Sequence, residues 1–209
     1  MSRKSAPKNA ENADTAFILA GGKSSRMPFD KQTIKIDGKL IAVYIADKLK
    51  EIFSDVYIIS QTESLYQSST YTVIPDEVED SGPLGGLYTA LCHATCDYVY
   101  VTGCDMPFVN LKYIEYMKEQ LSAASASVDG IFTTTHGLVE PLNAFYHKRL
   151  KDLIPPLIKK GKRRMAHLYE GKNMICVPES ILKEFDPDYK MFFNLNTLEE
   201  YNWYISYKS

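Results

Sequence analysis

Apolar residues recur at two different spacings along this chain, and the alternation between them predicts its architecture. Short continuous apolar runs at Ala16–Ala20, Val56–Ser60, Tyr71–Ile74 and Tyr98–Thr102 predict buried strands. Between them, Leu40–Phe53 carries Ile41, Ile45, Leu49 and Ile52 at helical spacing. Pro83–Ala94 does the same with Leu84, Leu87 and Leu91, and Pro83 suits a first helical position because no N–H is needed there. Thr33–Ile36 predicts a short strand before an Asp37-Gly38 turn. Leu111–Leu121 predicts a helix, and Val128–Thr134 with Val139–Tyr146 a strand pair around His136-Gly137. The remainder predicts mostly helix, with Pro155-Pro156 breaking one segment.

Strands alternating with helices of this length imply an α/β fold: a mostly parallel sheet with helices on both faces. Ligands in such sheets sit beyond the carboxyl ends of the strands, so segments distant in sequence should converge at that edge. At 209 residues the chain suits one domain. Residues 1–15 are polar and mixed in charge, which predicts a disordered lead-in to a domain spanning 16–209.

Composition narrows the function classes. With 45% hydrophobic and 24% charged residues the chain has the balance of a soluble globular protein. Its net charge of −2 gives no reason to expect nucleic-acid binding. No run approaches the roughly 18 apolar residues of a membrane span, and residues 1–15 lack a secretory apolar segment, so a cytoplasmic location is expected. Cys92, Cys96, Cys104 and Cys176 form no CxxC pair, and Cys92, His93 and Cys96 are too few to hold a metal. Packed, reduced thiols are expected.

Candidate chemistry begins directly after the first strand, at Gly21-Gly22-Lys23-Ser24-Ser25-Arg26-Met27-Pro28-Phe29-Asp30-Lys31. Glycines allow close backbone approach to an anion, with N–H groups aimed at phosphate oxygens. Arg26 and Lys31 add positive charge, so the loop suits a nucleoside triphosphate. It is neither a Walker A sequence nor GxGxxG. Asp105, just past a buried strand in Cys104-Asp105-Met106-Pro107, is placed to hold a divalent ion or, alternatively, to cap the next segment. Ser81-Gly82-Pro83-Leu84-Gly85-Gly86-Leu87 frees backbone to wrap a base or ribose, and Ser60 and Asp76 end nearby strands where a base edge can be met.

These motifs, in this order, resemble the molybdenum cofactor guanylyltransferases of the MobA type, members of a larger group of nucleotidyltransferases with a Rossmann-like three-layer fold. The resemblance runs from about Phe17 to Tyr201 and includes Gly161-Lys162-Arg163-Arg164 and Phe193-Asn194-Leu195-Asn196-Thr197. It implies transfer of GMP from GTP to molybdopterin, releasing pyrophosphate, with Mg²⁺. It assigns Leu19, Ala20, Gly21 and Lys31 to the GTP site, with Asp76 in the same pocket and Asp105 on both nucleotide and metal; Gly22 and Gly82, in the glycine-bearing loops, are read as binding the same nucleotide. Ser60 matches a position that is asparagine in some relatives. Pro28 stands where glycine is usual, which removes one N–H donor from the loop.

On this reading the attacking group is the phosphate of molybdopterin, a monoester whose second pKa near ~6 leaves it mostly dianionic at neutral pH. No general base is needed, in keeping with the absence of any Ser-His or Cys-His arrangement at these motifs. The obstacle is the mutual repulsion of two polyanions, which cations and oriented N–H groups relieve. Arg26 and Lys31 are therefore assigned to the phosphates and Mg²⁺ on Asp105 to neutralising them. Lys159, Lys160, Lys162, Arg163 and Arg164 form the densest basic cluster, suited to the acceptor or to a solvated helix end. Asn194 and Asn196 offer amides to the acceptor or cap the final helix. Glu140-Pro141-Leu142 falls on a strand near the same edge. His136, His147 and His167 carry no assigned chemistry, and Tyr201–Tyr207 reads as a packing helix. The competing readings are a relative that uses CTP and a non-catalytic nucleotide-binding protein. A dinucleotide-dependent oxidoreductase lacks both its glycine fingerprint and its acidic residue after the second strand.

Overall fold

The computed structural model describes residues 10–21, 30–78 and 80–208. Nine strands and seven α-helices are described. The strands are β1 (Thr15–Leu19), β2 (Lys35–Ile36), β3 (Lys39–Leu40), β4 (Asp55–Ile59), β5 (Thr72–Ile74), β6 (Tyr98–Gly103), β7 (Gly130–Thr135), β8 (Leu138–His147) and β9 (Met174–Val177). The helices are α1 (Ile41–Leu49), α2 (Gly82–Cys92), α3 (Leu111–Ala123), α4 (Ile154–Lys159), α5 (Ala166–Tyr169), α6 (Glu179–Phe185) and α7 (Leu198–Lys208). Seven strands form one sheet in the order β5-β4-β1-β6-β8-β7-β9, and β2 with β3 makes a small antiparallel hairpin. Within the large sheet β8 alone runs against its neighbours.

The continuous apolar runs read as strands because both faces of the sheet are covered. Along β1, Ala16 and Ile18 join one buried cluster while Phe17 and Leu19 join another. The first cluster takes Ile45 and Leu49 of α1, Tyr113 and Met117 of α3, Leu182 of α6 and Tyr204 of α7. The second takes Leu84 and Leu87 of α2, with Ile154, Met165 and Leu168 around α4 and α5. The three-layer α/β sandwich expected from the sequence is therefore present.

Several details differ from the sequence expectation. Part of the stretch expected to be a disordered lead-in is ordered: Ala10–Ala13 form a 3-10 turn, Ala13 and Thr15 are buried, and Asp14 accepts a hydrogen bond from the Ser54 N–H. Thr33 is not in a strand, because Asp30 caps a 3-10 turn over Lys31–Thr33 and leaves only Lys35–Ile36 extended. The expected Leu40–Phe53 helix stops at Leu49 and continues as turn. The C-terminal third contains β9, whose short mixed sequence gives little periodic signal, and it pairs with β7 at the sheet edge. Pro155-Pro156 starts α4 rather than breaking a helix, since a first-turn N–H has no intrahelical acceptor and its loss breaks no helical hydrogen bond. Of the thiols only Cys104 is buried, while Cys92 and Cys176 are exposed and all four are free.

Candidate active site

The carboxyl ends of β1 and β6, neighbours in the sheet, open onto a cavity of about 220 Å³. Leu19, Ala20 and Gly21 reach it from β1, Gly103, Cys104 and Asp105 from β6, and Gly82, Pro83 and Gly86 from the N-terminal part of α2. The chain leaves both strands in register: the Ala20 N–H donates to Ile59 O at 2.9 Å and the Cys104 N–H to Leu19 O at 3.0 Å. Such bonds hold the loop starts rigidly where a ligand meets them. α2 begins at Gly82, whose φ of +61° suits glycine. It packs so near β1 that a Cβ on Gly86 would lie 2.9 Å from a Leu19 methyl carbon. Its N-terminus thus reaches the cavity rim at Gly82 and Pro83.

Lys31 and Asp105, 74 positions apart, meet at this cavity. The Lys31 Nζ lies 2.9 Å from Asp105 Oδ2, and their side chains are only 15% and 24% exposed. The same ammonium donates to Asn196 Oδ1 at 2.5 Å. Asn196 arrives because the Leu195 N–H donates to Asp105 O at 2.8 Å, which staples the C-terminal segment onto the β6 loop. Glu200 then fixes that segment by accepting from the Asn196 and Thr197 N–H groups at 2.6 and 2.8 Å, while Thr197 Oγ1 accepts from the Glu200 N–H at 3.2 Å. This is a capping box at the start of α7, and Thr197-x-x-Glu200 was its sequence signal.

Asp76 lines the same cavity. Its Oδ1 accepts from Thr89 Oγ1 at 2.8 Å, and that oxygen in turn accepts from the Glu77 N–H at 2.9 Å. Burial pushes the Asp76 carboxyl above its ordinary value, and the Thr89 hydrogen bond partly offsets this. Thr89 was missed in the sequence because a threonine inside a helix carries no outward signal. Burial also raises the Cys104 thiol far above the ordinary range, so it lines the site as a neutral group and not as a nucleophile.

The other expected site residues fall elsewhere. Ser60 is buried, with its hydroxyl donating to Gln32 Oε1 at 2.6 Å and accepting from the Thr62 N–H at 3.0 Å. Its position at the end of β4 is therefore used to hold the Lys31–Thr33 turn. Asn194 turns its amide back to Phe192 O at 3.0 Å. Arg163 and Arg164 are exposed and outside the cavity lining, just before Met165 on the α2 side of the sheet. Gly22, Arg26 and Pro28 lie outside the described residues. Among the described residues Asp76 and Asp105 bring carboxylates to this cavity, and Asp105 is the candidate ligand for a divalent ion: Oδ2 faces Lys31, and Oδ1 lies beside Gly103, 2.6 Å from where a Cβ would stand. One carboxylate is a poor metal cage but fits Mg²⁺, which takes one or two carboxylates and completes its shell with water and phosphate.

A glycine-lined strand end, a helix N-terminus and a lysine–aspartate pair sharing one cavity define a nucleotidyltransferase-type site on an α/β sheet. Comparison with known proteins agrees. A family model described as the MobA-like NTP transferase domain matches residues 16–174, and the chain belongs to that family. It is 38% identical over 193 residues to a probable molybdenum cofactor guanylyltransferase of Peptoclostridium acidaminophilum, covering 91% of this chain and 87% of that one. It is 37% identical over 187 residues to the molybdenum cofactor guanylyltransferase of Syntrophotalea carbinolica, covering 90% and 88%. The structure of molybdopterin-guanine dinucleotide biosynthesis protein A from Archaeoglobus fulgidus superposes with a TM-score of 0.79 at 26% identity, covering 93% of this chain and 100% of that one. No helix among the described residues is long and apolar enough to cross a membrane.

Proposed function

We propose that this protein transfers GMP from GTP to molybdopterin, forming molybdopterin guanine dinucleotide and pyrophosphate. The observation that carries this reading is the meeting of Lys31, Asp105 and Asn196 at a cavity walled by Leu19–Gly21 and the α2 N-terminus. The family membership supports it, as do the two relatives named for the same transfer.

The chemistry follows from charge. The acceptor phosphate is already a good nucleophile at neutral pH, so attack on the α-phosphorus needs no base from the chain. Lys31 donates to the triphosphate, and Asn196 restrains its ammonium so that little reorganisation is needed as charge builds on the leaving pyrophosphate. The α2 N-terminus offers N–H groups to the same nucleotide. Asp105 is the residue to hold Mg²⁺, which when bound supplies further neutralisation of the phosphates. Asp76, steadied by Thr89, accepts from the N–H donors on the base edge. Arg26 acts with Lys31 in neutralising the phosphates, and Gly22 is assigned to nucleotide binding. Arg163 and Arg164 provide peripheral positive charge for the incoming acceptor. The cytoplasm is the compartment in which we place the reaction.

Thermal shift with Mg²⁺ and each of GTP, CTP, ATP and UTP tests the donor, and pyrophosphate release with molybdopterin tests the transfer. Selective stabilisation by GTP with release is expected. Selective stabilisation by CTP would replace this reading with cytidylyl transfer.

A further inference from the structure

A second cavity, of about 470 Å³, lies between the β7–β8 turn and α7. Tyr189, Phe193 and Trp203 line it with aromatic rings, and Glu140 brings a carboxylate. Trp203 is the only tryptophan in the chain and remains 45% exposed. Its ring centroid is 4.8 Å from that of Phe193, and it stacks on Tyr207 at 5.4 Å with 20° between the planes. An indole held in place by other rings yet left open to solvent is a preformed stacking platform. α7 is therefore a packing helix, as its sequence suggested, with Tyr204 on the buried side and Trp203 on this cavity.

Glu140 places hydrogen-bond acceptors on the cavity wall. Its Oε1 accepts from Thr135 Oγ1 at 2.5 Å, and among the described residues it has no ion-pair partner. The lysine that lines the same cavity is already engaged: Lys190 lies 2.8 Å from Asp188 and donates to the Tyr207 hydroxyl at 3.0 Å. The rim is held too, because Glu179 accepts from the His136 N–H at 3.3 Å and from the Tyr189 hydroxyl at 2.6 Å. An ionised carboxylate only accepts hydrogen bonds, so beside stacked rings it selects a flat heterocycle with adjacent N–H donors.

The two cavities adjoin through the chain itself. Glu140 and Leu142, two positions apart on β8, line one cavity each, and two residues span at most about 7 Å. Phe193 lines the second cavity, and three positions on Asn196 binds Lys31 in the first. A ligand stacked on Trp203 would therefore hold a short phosphate-bearing arm toward Lys31 and Asp105.

We infer that this cavity binds the pterin ring of the acceptor, stacked on Trp203, with its 2-amino-4-oxopyrimidine edge donating to Glu140. The inference rests on the proposed transfer, since that reaction supplies a pterin carrying a phosphate. Guanine has the same edge, so the test must separate the two.

Trp203 is its own reporter. Unsubstituted pterin is titrated into the protein while tryptophan emission is followed, with free tryptophan amide correcting for absorbed light. Saturable quenching is expected, at least tenfold weaker in affinity for Glu140→Gln and for lumazine, which lacks the 2-amino donor. Trp203→Ala, read through the emission of pterin itself, should weaken binding to a similar extent. Absence of saturable quenching, equal affinity in Glu140→Gln, or displacement of pterin by GTP would each overturn the inference. If GTP still stabilises the protein and is still transferred in those cases, the proposed function stands alone. If GTP neither binds nor transfers, that function falls and the inference falls with it.

Discussion

The sheet has two halves built on different plans. β5, β4, β1 and β6 run parallel in unbroken register, Thr15–Leu19 matching Asp55–Ile59 on one side and Val99–Gly103 on the other. Across β6, β8 runs the other way and its pairing with β7 slips, Phe145 facing Ile131 but Glu140 facing Thr133. Asn143 sits within that slip at a φ of +60°, buried, with its amide oxygen accepting from the Tyr100 hydroxyl at 2.5 Å. A parallel register brings strand ends to one edge, which is how residues far apart in sequence come to share the nucleotide cavity. An irregular strand turns selected side chains away from the regular alternation. On the same strand Leu142 lies on the first cavity and Glu140 on the second. One half thus supplies backbone and phosphate chemistry, and the other shapes the neighbouring recess.

The strongest way to break this division is at Lys31 and Asp105. Lys31→Ala and Asp105→Ala should each lower kcat by about 10²–10³-fold, the scale of losing one charge-stabilising group, with the melting temperature nearly kept. Near-normal turnover in either would place the chemistry outside the parallel half. Gly103→Ala is a gentler probe of the same edge, since the added Cβ meets Asp105 Oδ1 and must displace it. Turnover should fall roughly tenfold, about 1.4 kcal/mol of transition-state stabilisation, again with little effect on folding.

Phe145→Ala tests the other half as scaffold. Phe145 is fully buried and packs on Tyr100 and Phe53 across the core, so chemical denaturation should show a loss of about 3–5 kcal/mol. A loss below about 1 kcal/mol would mean that β8 contributes little to the common core. Thr89→Val removes the hydroxyl on Asp76 with little change in shape. Discrimination of GTP from ITP should drop several-fold while kcat with saturating GTP holds, and an unchanged ratio would detach Thr89 from base recognition.

The smallest effect expected is a pH dependence. Burial raises the Asp76 carboxyl, so the folded chain favours its protonated form more than the unfolded chain does. As pH rises from the ordinary carboxylate value of about 3.9 through the raised one, the unliganded protein should lose a little stability. Over the same window GTP binding should strengthen, because the ionised carboxylate is the better acceptor. Asp76→Asn should flatten both trends in thermal shift, and a persistent trend would assign them to another group.

Much of the parallel half was legible in the sequence. Strands buried on both faces appear as unbroken apolar runs, and glycine clusters and cations directly after them mark the ligand edge, so Leu19–Gly21, Lys31, Asp76 and Asp105 were named from local pattern and resemblance. Pairings could not be named, because nothing local links position 31 to 105 or 196; the sheet register and the Leu195–Asp105 hydrogen bond bring them together. The hydroxyls of Ser60 and Thr89 looked alike as letters, yet packing turned one to Gln32 and the other to Asp76. Sequence fixes which chemistry is available because side-chain type and short-range periodicity are local properties. Tertiary structure decided which groups face each other, and which already have a partner, because those depend on contacts closed between segments apart in sequence, from 13 positions for Thr89 and Asp76 to 165 for Lys31 and Asn196.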